Sequence, residues 1–214
     1  MAFDAAIFDM DGLLIDTERM MVEAGVAAAA QMGTPLSRQV FLSTVGVDRH
    51  KSTDIVAQNL PQGVAIEAFD KVWRRQFDDM LDAGIPLRPG AADLLNNLVA
   101  LQIPRAIATN ALTEQAHIRL EKSGLAAHFE HVVGFDLVER GKPDPGVYLE
   151  AARRLGVDPK KAVAFEDSDH GAAAAWAAGM RVVQVPDLGQ PTCDHAHHAA
   201  PDLITGARAA GLFD

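Results

Sequence analysis

Two carboxylates, Asp9 and Asp11, follow the apolar run Ala5-Ala6-Ile7-Phe8 and precede Gly12. A buried strand running into a loop reads this way, and a bend permitted by Gly12 can turn both acids toward one space. One carboxylate could then attack phosphorus while the other protonates a leaving alkoxide, which would make Asp9 the nucleophile and Asp11 the acid and base. A plain Asp-x-Asp-Gly turn has the same composition, so the pair needs matching partners elsewhere in the chain.

Such partners stand in Phe165-Glu166-Asp167-Ser168-Asp169-His170-Gly171, where a second apolar run ends in acids. Two acid clusters at one edge of a sheet repel unless a divalent cation lies between them, and oxygen-only ligands suit Mg²⁺. Asp9, Asp167 and Glu166 are the candidate ligands. The competing reading is a helix N-terminus, at which Ser168 or Asp169 acts as cap. Lys142, in Gly141-Lys142-Pro143-Asp144-Pro145, is stiffened by prolines that also suit a helix start, and its ammonium could sit on a phosphoryl oxygen. Thr109-Asn110 follows a further run, and the Thr109 hydroxyl with the succeeding N–H groups could hold phosphate oxygens. Helix capping by Thr109, Asn110 or Thr113 is an equal rival there.

The elements that must position these residues alternate. Short apolar runs at Ala5 to Phe8, Pro104 to Thr109, Val132 to Phe135, Ala162 to Phe165 and Arg181 to Val185 predict strands. Between them, Thr113 to Ser123, Pro145 to Leu155 and His170 to Ala178 are helix-length and each is followed by glycine. This alternation predicts an α/β fold, a doubly wound parallel-sheet Rossmann-like core with helices on both faces, where ligands gather at the carboxyl ends of the strands. Residues 17–86 break the pattern, reading as successive amphipathic helices with no strand. They predict an inserted helical domain between core segments 1–16 and 87–214, with Gly84 to Gly90 as a proline- and glycine-rich exit.

Composition narrows the partners. A formal charge of −10 over 214 residues offers nucleic acid no basic surface. A protein so acidic that binds a phosphate ester must place positive charge locally. With a single cysteine, Cys193, no intrachain disulfide can form, and a reducing, cytoplasmic setting fits. Acid stands near the N-terminus where a signal peptide carries base, and the apolar runs are too short for a membrane span. No heptad is present, so a monomer is expected.

Taken together, Phe8-Asp9-Met10-Asp11-Gly12 with Asp16-Thr17-Glu18, then Thr109-Asn110, Lys142-Pro143 and Glu166-Asp167-Ser168, resemble the four ordered motifs of the haloacid dehalogenase-like hydrolase superfamily. The spacing is similar to its phosphatase and β-phosphoglucomutase-like branch, whose helical cap follows the first motif. The resemblance implies Asp9 as nucleophile and Asp11 as acid/base and backbone-carbonyl metal ligand. It also implies Mg²⁺ on Asp167 with Glu166 in support, and phosphoryl contacts from Thr109, Asn110 and Lys142. Glu18 and the loop Val45-Gly46-Val47-Asp48-Arg49 are similar to cap residues that face substrate, with Val47 and Arg49 as candidates. The mutases of that branch carry a histidine where this chain has Met21 and a Ser-Lys pair where it has Ala111-Leu112. Hydrolysis of a small phosphate ester is therefore expected ahead of phosphomutase activity, and a non-catalytic module that binds a phosphorylated effector ranks behind both. Asp11 separates the chain from the dehalogenases proper, which lack that acid.

Other features are expected to be background. Cys193-Asp194-His195-Ala196-His197-His198 could suit a soft metal, but no second cluster accompanies it and a solvated loop is expected. Trp73, Arg74, Arg75 and Phe77 read as a helix face. His170 reads as a capping or supporting residue, since Asp11 already fills the proton-transfer role.

Overall fold

A computed structural model of the chain describes residues 3–45, 49–188 and 194–213. It divides into two compact units, one running to Ile15 and resuming at Pro86, the other spanning Asp16–Ile85. In chain order the elements are β1 (Ala5–Phe8), α1 (Thr17–Gln31), α2 (Arg38–Leu42), α3 (Arg49–Asn59), α4 (Ile66–Ala83), α5 (Ala91–Ala100), β2 (Arg105–Ala108), α6 (Thr113–Lys122), β3 (His131–Val133), α7 (Gly146–Leu155), β4 (Ala162–Glu166), α8 (Asp169–Ala177), β5 (Arg181–Gln184), β6 (His198–Ala199) and α9 (Leu203–Ala209).

The sheet is wholly parallel in the order β3-β2-β1-β4-β5-β6. The direction of winding reverses at β1, with β2 and β3 laid down on one side of it and β4, β5 and β6 on the other, which creates a switch point between β1 and β4. One face presents Ile7, Ala106, Ala108, Ala162, Ala164 and Val182 to α7 and α8, which answer with Val147, Tyr148, Ala151, Ala172 and Ala175, all fully buried. Alanine on both sides lets helix and sheet approach closely. The opposite face carries Phe8 stacked on Phe165, ring centroids 4.9 Å apart, with Phe129 edge-on to Phe8 at 6.2 Å. On that face Gly206 of α9 leaves no room for a Cβ, which would come within 2.5 Å of Val183 Cγ1.

Most predicted elements appear with trimmed ends. The third strand ends at Val133, and Phe135–Leu137 forms a 3₁₀ turn, because Gly134 is pressed against the backbone of Ala111 and Thr113. The short β6 had no pattern to announce it. Two further contacts join the chain segments that flank the helical unit. Ile15 bridges Leu87, and the Arg88 N–H donates to the Leu14 carbonyl at 2.9 Å. Arg88 also pairs with Asp187, beyond β5, at 2.7 Å.

The helical unit has its own core. Phe41, Phe69 and Trp73 pack ring against ring, and the Trp73 indole N–H donates to the Met21 carbonyl at 2.8 Å. Trp73 and Phe77 are thus packing residues of α4, as their spacing predicts. Gly25 of α1 lies against the Phe41 ring, and a Cβ there would overlap it. Alanine ordinarily favours a helix over glycine by about 1 kcal/mol. Here the Phe41 ring is fully buried and has nowhere to go, so overpacking of about 1–3 kcal/mol outweighs that gain. Gly25→Ala is expected to lower the urea midpoint, and a raised midpoint would contradict this packing.

Candidate active site

Register brings the chemical residues of β1, β2 and β4 together. Phe8 of β1 is level with Ile107 of β2 and Phe165 of β4, so the next residue, Asp9, emerges beside Glu166 and one step short of Thr109. The ladder continues past the strands: Asp9 N–H donates to Phe165 O at 3.0 Å, and Thr109 N–H to Val133 O at 2.9 Å. Gly12, at φ 81°, turns the chain after Asp11, and hydrogen bonds from Gly12 to Ile15 and from Leu14 and Ile15 to Met10 close the loop.

Lys142 is the hub. Its ammonium lies 2.5 Å from Asp9 Oδ1 and 2.6 Å from Glu166 Oε1, with its side chain 4% exposed. Asn110 fixes the lysine's backbone from both sides, accepting from Lys142 N at 2.8 Å and donating to Lys142 O at 3.2 Å. Gly141 is needed there because a Cβ would come within 2.5 Å of Asn110 Oδ1. The Asn110 side-chain amide therefore joins two loops. Thr109 is buried, and its Oγ1 accepts from Ala111 N at 3.1 Å.

Neither Thr109, Asn110 nor Thr113 caps α6 with its side chain. Asp136 does so from the turn after β3, accepting from Thr113 N at 2.7 Å and Thr113 Oγ1 at 2.9 Å. The sequence offered only local candidates for a cap that comes from a distant loop. Ser168 does cap α8, through Gly171 N at 3.1 Å, and His170 is exposed on the same first turn.

Glu166 is fully buried. Besides Lys142 it accepts from the Tyr148 hydroxyl at 2.5 Å and from Ser168 Oγ at 3.3 Å. Gly171 stands directly behind it, where any Cβ would overlap the carboxylate. Tyr148, not among the residues expected above, also sets its ring 5.1 Å from the Lys142 ammonium. A tyrosine on an otherwise apolar helix face, six residues after the lysine, was the available signal. Arg119 of α6 was missed as well; its Nη1 donates to Asp11 Oδ2 at 2.6 Å.

Carboxylates outnumber ammonium groups in this cluster. Asp9, Glu166 and Asp167 bring carboxylate oxygens within 4.8 Å of one another, the kind of oxygen set a hard divalent cation takes. One lysine cannot neutralise them all. Burial accordingly lifts the Asp9 carboxyl to about 8, with Glu166 and Asp11 adding to the rise and Lys142 opposing it. Burial alone would discharge Lys142, but the Asp9 and Glu166 carboxylates outweigh it and hold the ammonium above its ordinary value. Burial, then the charges of Glu166 and Asp9, push the Tyr148 hydroxyl well above its usual range, so it remains a neutral donor.

The predicted helical-unit residues are less informative. Glu18 is half-buried in the first turn of α1. Val47, and the side chain of Arg49, lie outside the described residues, as does Cys193. Of the neighbouring histidines, His197 Nδ1 accepts from Val182 N at 3.0 Å and His195 packs edge-on to Trp176 at 5.3 Å. His197 is held below its ordinary value, by burial first and then by Arg181, which suits a neutral acceptor.

Known proteins resemble this chain over most of its length. The model of the haloacid dehalogenase-like hydrolase family matches residues 6–185. The phosphorylated carbohydrates phosphatase of Thermotoga maritima is 34% identical over 177 residues, covering 83% of this chain and 82% of the relative. (DL)-glycerol-3-phosphatase 2 of Arabidopsis thaliana is 34% identical over 207 residues, covering 92% and 84%. A solved HAD family hydrolase from Deinococcus radiodurans R1, with bound phosphate and sodium, superposes with a TM-score of 0.82 at 28% identity, covering 99% of this chain and 98% of that one. The chain belongs to the haloacid dehalogenase-like hydrolase family. Within it, the chain is a hydrolase of phosphoric monoesters.

Two outcomes follow from the geometry. Tyr148→Phe deprives a buried carboxylate of a donor and is expected to cost about 1.5–3 kcal/mol in chemical denaturation. A loss within error would show that Lys142 and Ser168 suffice for Glu166. The second concerns pH. Burial lifts Asp9 toward its protonated form, to about 8, so a cation bound there competes with a proton and divalent-cation affinity should strengthen as pH rises toward that value. Calorimetric titration with Mg²⁺ in buffers of different ionisation enthalpy should detect proton release at neutral pH. Affinity that stays constant across this range would contradict the assignment.

Proposed function

We propose that this hydrolase removes phosphate from a small phosphorylated metabolite, a sugar phosphate or similar ester, through an aspartyl-phosphate on Asp9. The observation that carries this reading is the buried Lys142 ammonium held between Asp9 and Glu166 at the sheet's switch point. A phosphoryl group drawn to that ammonium can reach Asp9, which is 7% exposed, whereas Glu166 is fully buried. The names of the relatives support the substrate class.

In the first half-reaction an Asp9 oxygen bonds to phosphorus, the bond from phosphorus to the ester oxygen breaks, and Asp11 gives its proton to the departing alkoxide. In the second, a water oxygen bonds to phosphorus and its proton passes to Asp11. The bond from phosphorus to Asp9 then breaks, inorganic phosphate leaves, and both side chains return to their starting forms. Lys142 offsets charge on the phosphoryl oxygens, and the Thr109 hydroxyl with nearby N–H groups orients them. Asp9, Asp167 and the Asp11 carbonyl would hold Mg²⁺, with Glu166 supporting the set through Lys142 and Ser168. When bound, that ion supplies further positive charge at the phosphoryl group.

A phosphate-release screen over alkyl and sugar phosphates with Mg²⁺ tests this reading. The Asp9→Asn protein should lose turnover by about 10³-fold or more while staying folded. Turnover that survives the substitution would overturn the covalent mechanism.

A further inference from the structure

Asp11 has to hand a proton to one oxygen and collect one from another, so its carboxyl group needs a fixed direction. Its backbone is already fixed by the hydrogen bonds that close the loop from Met10 to Ile15. What remains is rotation of the side chain, and a residue 108 positions away acts on that rotation. Arg119, from the second turn of α6, donates Nη1 to Asp11 Oδ2 at 2.6 Å. Both side chains are about one-fifth exposed, at 19% and 21%. In an ion pair that water reaches, little stability is expected. Direction is another matter, because a planar guanidinium binds a carboxylate oxygen along a restricted approach and never loses its charge.

We infer that Arg119 is a positioning residue for the reaction, holding the Asp11 carboxyl group in the orientation from which it exchanges protons with the leaving oxygen and with water. The inference rests on the phosphatase reading above and adds to it a residue outside the four motifs. Arg119 touches neither phosphorus nor the attacking oxygen; it acts through Asp11.

The test compares wild type, Arg119→Gln, Arg119→Lys, Asp11→Asn and the double variant Asp11→Asn/Arg119→Gln, with Mg²⁺ and an alkyl phosphate ester. Arg119→Gln should lower kcat by about 10²-fold with KM little changed, the pattern of a lost transition-state interaction. Arg119→Lys should recover part of the loss, and it carries the test if the glutamine variant does not fold. In the Asp11→Asn background, removing Arg119 should change nothing further, since the residue it orients no longer transfers protons. An active wild type whose kcat survives Arg119→Gln overturns the inference alone. So does an equal fall in the Asp11→Asn background, which would place the effect of Arg119 elsewhere. A wild type that releases phosphate from no ester overturns the phosphatase reading, and this inference with it.

Discussion

A single ammonium shared by two buried carboxylates is the constraint around which the core is arranged. Lys142 meets Asp9 and Glu166 at hydrogen-bonding distance in a space almost closed to water. An isolated buried charge is too costly to persist, so each of the three groups depends on the others. Much of the surrounding structure serves this arrangement. Asn110 clamps the lysine's backbone, Tyr148 and Ser168 occupy the remaining side of Glu166, and Gly171 and Gly141 keep clear the volume in which the groups meet.

The sheet makes that meeting possible without any long-range search by the side chains. Because β1 lies between β2 and β4 in register, three loops start from neighbouring strand ends. The helix that brings Tyr148 to Glu166 can lie close because the strands beneath it present alanine. Packing and electrostatics therefore constrain the same residues: a larger side chain at Ala106 or Ala108 would lift α7 and with it the Tyr148 hydroxyl.

What was legible in the sequence follows from where the signals lie. Asp9, Lys142, Glu166 and Asp167 could be picked out because each sits next to a local marker, an apolar run or a pair of prolines, and the parallel order of strands then placed them together. Arg119, Tyr148 and Asp136 could not be found in that way. Their partners are Asp11, Glu166 and Thr113, and only the fold decides that a helix side chain or a distant turn reaches them. Asn110 has a similar long-range tie: its side-chain amide is engaged with the Lys142 backbone, a use that no local pattern encodes. The two-residue β6 fell below the length at which periodicity carries information.

The bridge between Ile15 and Leu87, with the hydrogen bond from Arg88 to Leu14, has a different kind of consequence. The chain leaves the sheet and re-enters it at adjacent points, so the intervening helices form a closed loop as far as the core is concerned. The entropy of closing a loop rises only logarithmically with its length, by about 0.6 kcal/mol per doubling. The sheet is thus almost indifferent to how many residues are strung between those two points. Helices there can be lengthened, exchanged or rebuilt over evolutionary time while the segments that hold the carboxylates and the lysine keep their places.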